Sequence, residues 1–226
     1  MSADLGRLLK RTYAAVLFDM DGTLIDSAPS VLRSWTIWSG EFGIDLEQLK
    51  TFHGVPASGV IAHFLAPEVH ERADARLREL EIADAVGIPI LPGGAEALAA
   101  LAGSGRVAIA TSCTADLAEA RVAASGLAAP PVLVTASECT RGKPDPEPYL
   151  RAAERLGVDP RECLVVEDAT AGLAAARAAG CATLALTTTT RADVIAAAGD
   201  ADAIVPDLSA VRFVVTSEGV RIEGSG

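Results

Sequence analysis

Aromatic residues and cysteines are scarce in this chain. Only 4% of its 226 residues are aromatic, although half are hydrophobic. The core must therefore be built from alanine, valine, leucine and isoleucine, of which alanine favours helices. The four cysteines, at positions 113, 139, 163 and 181, are widely separated and form no Cys-x-x-Cys pair. This spacing argues against a disulfide framework and against a zinc site, and we expect reduced thiols, as in the cytoplasm.

Long apolar segments and positive charge are also scarce. No hydrophobic run approaches the length that a membrane span requires, and the polar first eleven residues show no signal-peptide pattern. Thirty acidic residues against nineteen basic ones give a net charge of −11, which argues against binding to nucleic acid or to an anionic membrane. We therefore expect a cytoplasmic, monomeric protein whose partner is a small molecule.

Strand-like and helix-like patterns alternate from Gly93 onward, and a buried strand precedes them near the N-terminus. Such alternation predicts βαβ units and an α/β fold with a parallel sheet. Strands are predicted at residues 14–18, 106–111, 132–135, 163–167, 183–186 and 203–205. Helices are predicted at residues 94–102, 115–125, 171–179 and 191–198, with a further helix that ends at residue 156.

Two segments depart from this alternation. Residues 29–92 show only helical spacing of apolar side chains and no strand-like run, so they predict a helical insertion after the first strand. We place this insertion at residues 28–91 and the α/β core at residues 1–27 and 92–226. The tail at residues 211–222 has two short apolar stretches around a Thr-Ser-Glu-Gly turn, which indicates a C-terminal β-hairpin.

Polar side chains that suit one site follow the predicted strands. Because the carboxyl ends of parallel strands share one edge of the sheet, we expect these side chains to converge there. They are Asp19 and Asp21, Thr111 and Ser112, Lys143 in a Gly-Lys-Pro loop, and Glu167 and Asp168.

This set of side chains suits phosphoryl transfer to a carboxylate. Asp19, Asp168 and a backbone carbonyl offer the hard oxygen ligands that Mg²⁺ prefers, and Lys143 would neutralise phosphate charge. The Thr111 hydroxyl would hold a phosphate oxygen. Asp19 would then form an aspartyl-phosphate, while Asp21 would protonate the leaving alkoxide and later activate water.

The order of the motifs also resembles a known family. Asp-x-Asp-Gly-Thr, hydrophobic-Thr, Gly-Lys-Pro and Glu-Asp-x-x-x-Gly follow one another as in the haloacid-dehalogenase-like phosphohydrolases. The resemblance implies a Rossmann-like core with a C1-type helical cap. Shorter segments, among them His53-Gly54 and Pro92-Gly93-Gly94, resemble those of phosphatases that act on sugar and polyol phosphates.

The resemblance implies a role for each matching residue. Asp19 would be the nucleophile and a Mg²⁺ ligand, and Asp21 would be the acid/base with its backbone carbonyl on the metal. Asp168 would bind the metal, and Glu167 would lie on it or next to it. Phosphate would be held by Thr111, Ser112 and Lys143, and the substrate would contact His53 and Gly54 in the cap.

One alternative shares these motifs: a phosphomutase of the β-phosphoglucomutase type. Mutases resembling that enzyme carry an arginine just after the cap-loop glycine, whereas Val55-Pro56 follows Gly54 here. A signalling receiver domain also combines acidic residues, threonine and lysine, but it is about half this length and has no helical insertion. Cys113 lies near the predicted site, and we expect an inert thiol there.

Overall fold

Nine strands and ten α-helices are present in the computed structural model, which describes residues 5–49 and 57–225. The strands, numbered along the chain, are β1 (Thr12–Tyr13), β2 (Ala15–Phe18), β3 (Val107–Ala110), β4 (Leu133–Val134), β5 (Cys163–Glu167), β6 (Ala182–Leu186), β7 (Ala203–Val205), β8 (Val211–Val215) and β9 (Val220–Gly224).

The helices fall into an early group and a group that alternates with the strands. The early group is α1 (Leu5–Leu9), α2 (Ala28–Phe42), α3 (Leu46–Leu49), α4 (Ala57–Phe64) and α5 (His70–Ala83). The alternating group is α6 (Gly94–Leu101), α7 (Ala115–Ser125), α8 (Glu147–Leu156), α9 (Thr170–Ala178) and α10 (Ala192–Ala198). No helix in the described ranges is long and apolar enough to cross a membrane.

A six-stranded parallel sheet forms the centre of the molecule, in the order β4-β3-β2-β5-β6-β7. Strand β2 pairs with β3 on one side and β5 on the other, so that Phe18 lies opposite both Ile109 and Val166. The three strands therefore end at the same level. This register confirms the predicted α/β fold and brings the residues that follow these strands to one edge.

Alternate residues of the central strands pack into cores on opposite faces of the sheet. Val16 and Phe18 belong to one hydrophobic cluster, while Ala15 and Leu17 belong to the other. All four are fully buried, because helices cover both faces. Small alanines make up much of the second cluster, as the low aromatic content predicts.

The predicted helical insertion is confirmed: α2, α3, α4 and α5 lie between β2 and β3 in the chain. This helical insertion has its own small core around Trp38, which is fully buried and donates its indole N–H to the Ala73 carbonyl at 2.8 Å. Trp38 thus serves packing. The two connections to the α/β core are paired through a bridge between Ile25 and Ile90.

The C-terminal hairpin of β8 and β9 is also confirmed, but it is part of a larger sheet. Strand β1 pairs with β9, which gives a three-stranded antiparallel sheet in the order β1-β9-β8. No sequence pattern predicts β1 or α1. Both are short. Strand β1 depends on a contact distant in sequence, the pairing of Tyr13 with Val220, and the Tyr13 hydroxyl in turn donates to the Leu8 carbonyl in α1.

Candidate active site

Asp19 lies directly beyond β2, at the carboxyl edge of the parallel sheet. Its backbone N–H donates to the Val166 carbonyl at 3.0 Å, and its side chain is buried. Gly22 then turns the chain with a φ of 82°. A Cβ at this position would also lie 2.3 Å from Oδ2 of Asp168. Glycine is therefore needed for the turn and for the close approach of the two carboxyl-bearing loops.

Lys143 reaches Asp19 from the loop that precedes α8. Its Nζ lies 2.6 Å from Oδ1 of Asp19 and 2.7 Å from Oε1 of Glu167, and it is 4.9 Å from the ring centre of Tyr149. Burial alone would lower the pKa of the Lys143 ammonium. The Asp19 and Glu167 carboxylates instead raise that pKa well above its usual value. The ammonium is therefore charged and shared between two carboxylates.

Glu167 is the most heavily hydrogen-bonded side chain described at the site. Its Oε1 accepts from Lys143 Nζ at 2.7 Å and from the Tyr149 hydroxyl at 3.1 Å. Its Oε2 accepts from the backbone N–H groups of Asp168 and Ala169 at 2.9 and 2.8 Å. Burial, followed by the Glu167 charge, raises the pKa of the Tyr149 phenol, which remains a donor. Glu167 therefore orients Lys143 and fixes the loop that opens α9.

Asp168 is held by hydroxyl groups from two other loops. Thr23 donates to its Oδ1 at 3.2 Å, and Thr189 donates to its Oδ2. In addition, the Thr188 hydroxyl donates to the Gly22 carbonyl. Burial, followed by the Glu167 charge, raises the pKa of Asp168 to about 7. Three loops at the sheet edge are thus joined through one carboxyl group.

The carboxylates of Asp19, Glu167 and Asp168 form a group that suits a cation. One oxygen from each lies within 4.8 Å of the others, and all three residues are buried. Three carboxylates and one lysine leave two negative charges, which a divalent cation would balance. Burial raises the pKa of Asp19 well above its usual range, and Lys143 only partly opposes this. The hard oxygen donors and the unbalanced charge both fit Mg²⁺.

The carboxyl group of Asp21 has different neighbours. Its Oδ2 accepts from the Cys113 thiol at 3.0 Å and from the Thr111 hydroxyl at 3.5 Å, the limit of a hydrogen bond. Its Oδ1 lies 2.9 Å from Nη1 of Arg121, whose Nη2 is 3.4 Å from Oε1 of Glu81. The two aspartates of the first motif therefore lie in different electrostatic surroundings.

Some of the predicted site residues lie near Asp21 or outside the described ranges. Thr111 is buried, and its hydroxyl accepts from the Cys113 backbone N–H at 3.1 Å. Ser112 is exposed at the same strand end. His53 and Gly54 lie outside the residues that the structure describes, so their contact with substrate stays a prediction.

Tyr149, Thr189 and Arg121 lie at the site but were not predicted from the sequence. Thr189 belongs to a run of four threonines directly after β6. Because polar residues after a parallel strand lie at the edge that holds the site, this run could have indicated Thr189 as a site residue. Cys113 fits the expected inert thiol, because burial raises its pKa well above the usual value. Its contact with Asp21 was not predicted. No sequence pattern indicated that Arg121 lies at the site, because its burial depends on the helical insertion.

Comparison with known proteins assigns this arrangement to a family. The haloacid dehalogenase-like hydrolase family matches residues 13–180, which include Asp19, Lys143 and Asp168. The chain belongs to the haloacid dehalogenase-like hydrolase family. The resemblance seen in the sequence motifs is thereby confirmed, and the protein is an enzyme of the hydrolase class.

Relatives in this hydrolase family act on small phosphorylated compounds. Hexitol phosphatase A of Escherichia coli (strain K12) is 43% identical over 175 residues, which are 75% of this chain and 81% of that protein. Glycerol-1-phosphate phosphohydrolase 2 of Saccharomyces cerevisiae is 34% identical over 215 residues, covering 88% of this chain and 84% of its own. Among solved structures, a hydrolase from Pseudomonas syringae aligns with a TM-score of 0.75 at 26% identity, covering 86% of this chain and 94% of its own.

Proposed function

We propose that this hydrolase is a Mg²⁺-dependent phosphatase that cleaves phosphate monoesters of small sugars or polyols through an aspartyl-phosphate on Asp19. One observation carries the proposal: a buried carboxylate, Asp19, lies 2.6 Å from the Lys143 ammonium at the sheet edge that also holds Asp168. The hexitol and glycerol phosphatases among the relatives support the substrate class.

The metal would be held by Asp19, Asp168 and the backbone carbonyl of Asp21. Glu167 would contact it directly or through water, while keeping its bonds to Lys143. When bound, Mg²⁺ neutralises charge on the phosphate so that an anionic nucleophile can approach phosphorus.

The first chemical step transfers the phosphoryl group to Asp19. An Asp19 carboxylate oxygen attacks phosphorus, and the bond from phosphorus to the alcohol oxygen breaks with its electron pair on that oxygen. Asp21 donates a proton to this oxygen, so the product leaves as a neutral alcohol. Thr111, Ser112 and Lys143 hold the other phosphate oxygens during the transfer.

The second step returns the enzyme to its starting form. Asp21, now a carboxylate, takes a proton from water while the water oxygen attacks phosphorus. The bond between phosphorus and Asp19 breaks, which releases inorganic phosphate and restores the Asp19 carboxylate. Asp21 regains its proton in the same step and is ready for the next substrate.

Residues 28–91 would act as a cap over this site. The helical insertion leaves the core soon after Asp21, so it is placed to cover the bound ester and to limit its size. Covering the site would also exclude bulk water from the aspartyl-phosphate. His53 and Gly54 would contact the sugar or polyol.

A phosphate-release screen with Mg²⁺ tests the proposal. The panel contains glucitol 6-phosphate, mannitol 1-phosphate, glycerol 1-phosphate, 2-deoxyglucose 6-phosphate and glucose 6-phosphate. The wild type should release phosphate from at least one polyol or sugar phosphate, and Asp19→Asn should lower that rate by about 10³-fold or more. Asp193→Asn, the same change at an exposed aspartate paired with Arg191, should keep the wild-type rate.

Two results would contradict the proposal. Phosphate release by Asp19→Asn at the wild-type rate would exclude Asp19 as the nucleophile. Conversion of glucose 1-phosphate into an isomer in the presence of a bisphosphate primer, without free phosphate, would identify a phosphomutase instead.

A further inference from the structure

A buried arginine next to Asp21 has no part in the steps described so far. Arg121 lies on α7 and is only 4% exposed. Its Nη1 is 2.9 Å from Oδ1 of Asp21 and 3.0 Å from Sγ of Cys113. Its Nη2 is 3.4 Å from Oε1 of Glu81. One cation is therefore shared by two carboxyl groups, one of which belongs to the proposed acid/base.

A buried arginine is energetically less favourable at this position than an apolar side chain. Burying a guanidinium and its partners carries a desolvation penalty that a packed apolar side chain would avoid. Moreover, Nε of Arg121 is buried and has no hydrogen-bond partner within the described ranges. A role in stability alone therefore explains Arg121 poorly, and its contact with Asp21 suggests one in positioning.

Arg121 and two further side chains hold the Asp21 carboxyl group. Oδ1 of Asp21 lies 2.9 Å from Nη1 of Arg121, which is the distance of an ion pair. The other oxygen accepts from Cys113 and, at the limit of distance, from Thr111. Asp21 is thus kept on the α7 side of the site.

The second partner of Arg121 comes from the other part of the molecule. Glu81 lies in the last turn of α5, in the helical insertion, whereas Arg121 and Asp21 belong to the α/β core. The chain returns to the core soon after α5. Any shift of α5 against α7 therefore changes the contact between Glu81 and Arg121, and with it the pull on Asp21.

We infer that Arg121 is a positioning residue for Asp21. Through its contact with Arg121, Glu81 makes this positioning depend on where the helical insertion lies relative to the α/β core. The inference rests on the proposed function, because it concerns the proton that Asp21 gives to the leaving alcohol. Mispositioning a reacting group by about 1 Å lowers rates by about 10²-fold, so the effect is measurable.

The test compares two leaving groups. An alkyl phosphate needs a proton from Asp21 as its alcohol departs, whereas p-nitrophenyl phosphate releases a stable phenolate without one. The quantity measured is kcat/KM, which covers the steps up to departure of the alcohol and excludes hydrolysis of the aspartyl-phosphate. The alkyl substrate is the one in the panel above that the wild type cleaves fastest.

Arg121→Met should lower kcat/KM for the alkyl phosphate by about 10- to 100-fold and for p-nitrophenyl phosphate by less than about threefold. Arg121→Lys, which keeps the charge, should restore part of the loss. Glu81→Gln should change the ratio of kcat/KM for the alkyl phosphate to kcat/KM for p-nitrophenyl phosphate by about threefold. In an enzyme that already carries Arg121→Met, Glu81→Gln should leave this ratio unchanged. Arg76→Met, at a half-exposed ion pair on α5, should keep the wild-type ratio.

The ratio does not depend on the fraction of folded enzyme, so partial misfolding of a variant does not obscure the result. Equal losses on both substrates in Arg121→Met and Arg121→Lys would show that Arg121 is only structural. A wild-type ratio in Glu81→Gln would overturn the link to the helical insertion. Failure of the proposed function would appear differently, as absence of Asp19-dependent phosphate release by the wild type itself.

Discussion

Replacing Gly172 with alanine should destabilise the protein, although the same change inside a helix usually does the reverse. Gly172 lies in the first turn of α9, beneath the Glu167 side chain. A Cβ at this position would lie 1.6 Å from Oε1 and 2.0 Å from Cδ of Glu167. Neither distance is compatible with the observed geometry, so the carboxylate would have to move.

The size of the effect follows from what the carboxylate binds. Each oxygen of Glu167 accepts two hydrogen bonds, from Lys143 and Tyr149 and from two backbone N–H groups. Hydrogen bonds to a charged group contribute about 1.5–3 kcal/mol each, and alanine gains about 1 kcal/mol over glycine in a helix. If two of the four bonds are lost, Gly172→Ala lowers the free energy of unfolding by about 2–5 kcal/mol.

Urea denaturation followed by circular dichroism measures this change. For a chain of this size, the loss corresponds to a fall in Tm of about 4–20 °C. Gly40→Ala is the matched control, because Gly40 is an exposed glycine within α2 and a Cβ there would meet no atom within 4 Å. It should raise stability by about 0.5–1 kcal/mol. If Gly172→Ala were also stabilising, Glu167 would not occupy the position described.

Three further results are expected at the same edge of the sheet. Lys143→Met leaves Asp19 and Glu167 without their shared ammonium, so the free energy of unfolding in urea should fall by about 3–5 kcal/mol; an unchanged value would contradict the buried ion pairs. The pKa of Asp168 is raised to about 7, so its protonated form stabilises the metal-free protein at low pH, and that contribution is lost as pH rises through 7. Mg²⁺ must displace this proton, so the rise in Tm that Mg²⁺ causes should be larger at pH 8 than at pH 6, and an equal or smaller rise would contradict a raised pKa at Asp168. Thr189→Val removes a hydroxyl that donates to Asp168, so titration calorimetry should show Mg²⁺ affinity weakened by about tenfold, whereas wild-type affinity would mean that this bond does not orient the ligand.

Regular elements with local sequence signals were predicted closely. Strand β5, strand β7 and helix α7 have the predicted boundaries, because each is an apolar or alanine-rich run with clear turn residues around it. Helix α1 and strand β1 were missed. Five and two residues are too few for a periodic signal, and both elements form because Leu8 and Tyr13 pack in the core and β1 pairs with β9.

The residues of the site also differ in how far the sequence predicts their contacts. Parallel strands must end at one edge, so the approach of Asp168 to Asp19 follows from the sheet topology. Lys143 lies in the loop between β4 and α8, so topology brings it to the same edge but does not set its contacts. The partners of Glu167 and the burial of Arg121 do not follow from it. They depend on the packing of α8 and α9 and of the helical insertion on α7, which brings Glu81 next to a residue forty positions later in the chain.

In the proposed mechanism, Asp19 carries the phosphoryl group between the two steps. Single-turnover reactions with a ³²P-labelled ester from the panel, stopped with acid within milliseconds, test it most directly. Peptide mapping should find alkali-labile ³²P on the peptide that contains Asp19, with formation and decay that match product release. Label on another residue, or turnover without any labelled protein, would contradict the aspartyl-phosphate on Asp19.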